Sequence, residues 1–145
     1  MCLANLARGL RGRGHEVTCV VRPDGDLAGQ LPACGLPVVA LPLRDWFEPV
    51  SVARLAAWLC RERIDIVHAH NPRDWFIAAA ATVGTGALCV GSRHVLRPVA
   101  HPALKRTFLQ RLGALIAVSD AVRDAAAGLV DCRRLVTVPN GIEPG

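Results

Sequence analysis

Apolar and polar positions alternate along the chain in two distinct rhythms. Leu3, Leu6, Ala7 and Leu10 recur at the i, i+3, i+4 and i+7 spacing of one helical face. Gly12 and Gly14 then supply the left-handed turn that ends a helix cheaply. Glu16–Val21 reads as a strand, Pro23-Asp24-Gly25 as a turn, Leu27–Leu31 as a short helix closed by Gly35, and Val38–Leu41 as a second strand. A helix with apolar positions Val52, Leu55, Ala56, Leu59 and Cys60 precedes a third strand at Ile64–Val67. A helix over Trp75–Val83 and a fourth strand at Ala87–Val90 follow, then a basic amphipathic helix with Leu104, Phe108 and Leu112 on one side. Leu115–Val118 is the fifth strand, Val122 to Leu129 a further helix, and Leu135–Val138 the sixth strand.

These strands are short apolar runs without strict alternation, and helices separate them. Such a pattern predicts α/β architecture: a doubly wound, Rossmann-like parallel sheet with helices on both faces, in a single domain over residues 1–145. The uncharged stretch from Trp75 to Ser92 is nearly long enough to cross a bilayer. It is built on alanine and broken by Gly84 and Gly86, so a buried helix, a tight turn and a buried strand are expected instead.

Composition narrows the partners. The net charge of +5 suits an anionic ligand or surface, but no Arg/Lys block is interleaved with aromatics and tyrosine is absent, which argues against nucleic acid. Cys2, Cys19, Cys34, Cys60, Cys89 and Cys132 form no CxxC pair, and no secretory signal opens the chain. Reduced thiols in a cytoplasmic protein are expected.

In parallel α/β sheets ligands bind outside the carboxyl ends of the strands. Polar groups fall there after four successive strands: His68, His70 and Asn71, then Arg93 and His94, then Ser119, then Asn140 and Gly141. His70 and His94 are the candidates for proton transfer or for hydrogen bonds to hydroxyls near neutral pH. Arg93, beside His94, would provide an anion-binding setting. His68 reads equally well as a structural histidine, Ser119 as a helix N-cap, and Asn140-Gly141 as a turn. A zinc site made of His68, His70 and His94 lacks a fourth ligand, and no metal is expected.

Five segments together resemble the N-terminal domain of family 4-like glycosyltransferases, one half of the GT-B fold. They are LARGLRGRGHEVTCVVRPDG at 6–25, IDIVHAHNP at 64–72, ALCVGSRH at 87–94, ALIAVSDAV at 114–122 and LVTVPNGIEP at 135–144. The resemblance implies a retaining, metal-independent transferase that moves sugar from a nucleotide-sugar donor to an acceptor hydroxyl, in cell-envelope glycan or glycolipid synthesis. It implies that His94 lies near the reacting sugar as the catalytic residue. His70, Asn71, Arg93, Ser119, Asn140 and Gly141 would line the acceptor and substrate side. The acceptor would be a glycan or lipid-linked, with the basic helix around Leu104–Leu112 touching the inner face of the membrane.

Set against the family, the chain is expected to lack the first strand, which would lie between the strands at 17–21 and 64–67. Each backbone group left unpaired there would cost about 1–3 kcal/mol. The donor-binding domain is expected to be absent as well, so the polypeptide alone should be inactive. The alternative is a stand-alone sugar- or lipid-binding module that pairs with a separate donor domain.

Overall fold

A computed structural model describes residues 3–43, 48–96 and 107–139. They form two compact units, divided near residue 44. The described strands make two parallel sheets, β1-β2 and β3-β4-β5-β6.

The first unit runs α1 (Leu3–Arg11), β1 (Cys19–Val21), α2 (Leu27–Ala33) and β2 (Val38–Ala40). Cys19 lies opposite Val38 and Val21 opposite Ala40. Of the apolar stripe read from the sequence, Leu3 and Ala7 are packed in the core, together with Ala4. Ala7 of α1 joins Cys19, Val21, Leu31 and Leu36 in a small core, with Leu3 and Val17 against it. Strand β1 begins three residues later than expected, since the pairing reaches back only to Cys19. Gly14 closes the α1 turn at φ 88°, a conformation that favours glycine.

The second unit holds α3 (Pro49–Arg61), β3 (Ile66–Ala69), α4 (Pro72–Ala81), β4 (Leu88–Arg93), β5 (Ala114–Ala117), α5 (Asp120–Asp124), a 3-10 turn (Cys132–Arg134) and β6 (Leu135–Thr137). Residues 107–109 are also helical, residues 110–112 leave the helix in a turn short of the expected Leu112, and the part of the expected basic helix before 107 lies outside the described residues. Helix α4 starts three residues before the expected Trp75, because Asn71 and Pro72 form a favourable first turn. Proline there needs no N–H, and the Asn71 carbonyl accepts from Asp74 and Trp75. Helix α5 ends early, at Asp124, and the chain then turns through Gly128 at φ 81°.

Register gives the sheet two different faces, since successive strand residues point to opposite sides. Pairing sets Ala69 against Gly91, Gly91 against Leu115 and Leu115 against Leu135. These odd-numbered positions face the main core, where Cys89, Leu115, Trp75, Phe76, Leu109, Leu112 and Ala126 are packed almost free of solvent. The Trp75 indole is fully buried and donates to the Ala69 carbonyl at 3.2 Å. It lies so close to β4 that a Cβ on Gly91 would sit 3.1 Å from its nitrogen. Even-numbered positions are more open: Ile66, Leu88 and Val136 are 59%, 49% and 40% exposed.

Burial raises the thiol of Cys19 and pushes that of Cys89 up to about 12, so both serve as small apolar groups. Among the described residues no helix is long and apolar enough to cross a membrane, and the Trp75–Ser92 stretch is divided between α4 and β4.

Candidate active site

The histidines gather at the carboxyl ends of β3 and β4. His68 is inside β3, where its partner is Val90, and His70 is one residue past the strand end. Strand β4 continues to Arg93, three residues beyond its expected end, because Ser92 and Arg93 pair with Ile116 and Ala117 of β5. His94 follows directly. His68 and Ser92 thus lie on one side of neighbouring parallel strands, and the ring contacts of His70 and His94, each one residue past its strand end, bring them to the same side.

The ring centroids of His68 and His70 are 4.2 Å apart, with the planes tilted by 30°. Those of His70 and His94 are 6.0 Å apart, nearly parallel at 19°. His68 Nε2 and Ser92 Oγ form a hydrogen bond of 2.7 Å. His68 and His70 are half-buried, whereas His94 is exposed. Burial, reinforced by the neighbouring imidazoles at 68 and 94, lowers the His70 pKa from 6.5 to about 4. Burial, then His94, lowers that of His68 as well. Both rings are therefore neutral at pH 7, each with one N–H donor and one lone-pair acceptor. His70 and His94 are stacked, and His68 is tilted against His70. Among the described residues no group of three His, Cys, Asp or Glu could hold a metal ion.

Arg93 is placed differently from the setting expected beside His94. It occupies an odd position, is 1% exposed, and its Nε donates to the Val95 carbonyl at 3.0 Å. Burial pulls its pKa down from the ordinary guanidinium value. Sequence adjacency suggested a shared pocket, but inside a strand adjacent residues face opposite ways. Arg93 braces the chain just beyond it.

Asn71 is exposed, and its amide donates to Asp74 Oδ2 at 3.0 Å. Ser119 caps α5, its hydroxyl accepting from the Val122 N–H at 3.3 Å. Close by, the Thr137 hydroxyl donates to Asp120 Oδ1 at 2.9 Å, tying β6 to the start of α5. Asn140 and Gly141 lie outside the described residues. Two members of the constellation have no part in the sequence reading: Ser92, hydrogen-bonded to His68, and Asp74, bonded to Asn71 in the first turn of α4. The period-two spacing from His94 back to Ser92 could have pointed to the first. A wide depression of about 490 Å³ lies at the other ends of the strands, among Thr82, Leu88, Gln110 and Arg134, and no carboxylate or imidazole is among its described lining residues.

The fold is similar to that of two solved structures. A Rickettsia africae glycosyltransferase superposes with a TM-score of 0.75 at 18% identity, over 94% of this chain and 38% of that one. Anabaena HepE, in complex with UDP-glucose, superposes with a TM-score of 0.73 at 20% identity, over 97% of this chain and 40% of that one. This chain therefore spans about two fifths of their length. No curated protein sequence matches it. A family model does match, along residues 1–145, and the chain belongs to Glycosyltransferase Family 4.

Proposed function

We propose that this chain is the acceptor-side half of a GT-B glycosyltransferase that moves a sugar from a nucleotide-sugar donor to an acceptor hydroxyl with retention of configuration. The observation that carries this reading is the meeting of His70 and His94, 6.0 Å apart, at the carboxyl ends of adjacent strands. Ligands of parallel α/β sheets bind at that edge. HepE in complex with UDP-glucose, superposable over most of this chain, supports the donor class.

In this reading His94, exposed at the tip of β4, touches the reacting sugar. His70 is neutral at pH 7 and offers a hydrogen-bond acceptor or donor to a sugar hydroxyl without burying a charge. Asn71 reaches the acceptor from the adjoining loop. The donor contacts come from a second domain, so transfer requires that domain. The acceptor is a cell-envelope glycan or glycolipid, met at the inner face of the membrane, and no metal takes part.

The test is His94→Ala in a protein that carries both domains. Turnover is expected to fall by about 10²-fold or more, with the melting temperature unchanged. Turnover within a few-fold of the parent would remove His94 from the chemistry.

A further inference from the structure

We infer that His68 is a positioning residue: clasped to Ser92 across two strands, its ring holds the His70 imidazole in line with His94. This rests on the reading above for its purpose, but not for its geometry. His70 lies beyond the last β3 ladder position, so strand pairing does not fix it. His68 is different. Its backbone is paired with Val90, and its Nε2 is bonded to Ser92 Oγ at 2.7 Å. Ser92 is 4% exposed and in register with Ile116, so it is held by the sheet and by packing. Fixity therefore passes outward, from Ser92 to the His68 ring, from that ring to His70 4.2 Å away, and from His70 to the exposed His94.

The bond is suited to this task. Its two ends hang from neighbouring strands whose separation is set by backbone pairing, so little side-chain freedom is lost in making it. His68 is kept neutral by burial, which leaves the bond between two uncharged groups and spares the half-buried face a charge. Without the serine hydroxyl the ring could turn about its side-chain torsions, and the tilted ring contact with His70 would go with it.

A purely structural His68 would satisfy Ser92 and leave His70 indifferent, and histidine-ring NMR of the full chain separates the two cases. In the unaltered protein, a nuclear Overhauser contact between the His68 and His70 rings is expected; its absence would overturn the assignment whatever the variants do. In Ser92→Ala, His70 should titrate upward by about one unit toward the ordinary value of 6.5 and lose the ring-current shift from its neighbour. Ser92→Thr, which keeps the hydroxyl, should restore both. An unchanged His70 titration in a folded Ser92→Ala protein, checked by circular dichroism, would overturn it. No sugar enters these measurements, so they fail or succeed independently of the turnover test on His94.

Discussion

The two faces of the sheet β3-β4-β5-β6 treat neighbouring residues of one strand in opposite ways. At the tip of β4, Arg93 turns to the odd-numbered face and is 1% exposed, although it is the most polar side chain there. Ser92 and His94, on either side of it, belong to the even-numbered side with His68 and His70. The odd face is a packing surface, sealed by Trp75, Leu115 and Leu112. The even face carries the stacked imidazoles beside apolar residues that are still partly exposed, such as Ile66 at 59%. Polarity alone does not mark a site residue in such a sheet. Strand phase decides whether a charged side chain meets a ligand or supports the wall behind it.

Three experiments strain that contrast. The largest effect is expected from Trp75→Ala, which empties the closed face beneath β3 and β4 and removes the bond to the Ala69 carbonyl. Large-to-small changes of this kind cost about 3–5 kcal/mol, so the denaturant midpoint should drop sharply; a loss under about 1 kcal/mol would mean that this face is not the main source of stability. Arg93→Ala comes next. It forfeits the charged bond to the Val95 carbonyl and the packing of the stem, for about 2–3 kcal/mol. His70 should titrate almost as before, since the two lie on opposite faces. A His70 pKa that moves as far as it does in Ser92→Ala would erase the distinction between the faces.

The third and smallest effect belongs to the open face and comes from pH. The folded pKa of His70 is depressed to about 4 from 6.5, and that of His68 moves the same way. Between these values the unfolded chain binds more protons than the folded one, so stability falls as pH drops. Above 6.5 the penalty is absent; it builds through the window and levels off below about 4. Melting temperatures measured from pH 7 to pH 5, where most carboxylates stay ionised, should decline, and His70→Gln should flatten the slope. A flat profile in the parent would show that the imidazoles are not desolvated as described. Water reaches part of each ring, which keeps the effect modest.

Much of this layout was legible in the residues. Apolar runs and helical stripes identified every described strand, and the rule that ligands gather at the carboxyl ends located His70 and His94. What escaped was phase. Ser92-Arg93-His94 looks like a polar loop by local propensity, and only pairing with Ile116 and Ala117 draws its first two residues into β4. With the strand end misplaced by three residues, neither the burial of Arg93 nor the alignment of Ser92 with His68 could be read. The early start of α4 escaped for a related reason. Its first turn is polar at Arg73 and Asp74, and the helix is set by Asn71 and Pro72 rather than by an apolar stripe.

Gly91 has an effect at a distance. With the Trp75 indole nitrogen 3.1 Å and the Leu115 Cδ1 3.2 Å from where its Cβ would stand, any side chain at 91 would press on the Trp75 ring carried by the first turn of α4. That turn hangs from Asn71, whose carbonyl takes the N–H of Trp75, and Asn71 is joined directly to His70. A single methyl group at 91 would therefore act as a shim between β4 and the Trp75 ring, at the root of the turn that leads back to His70.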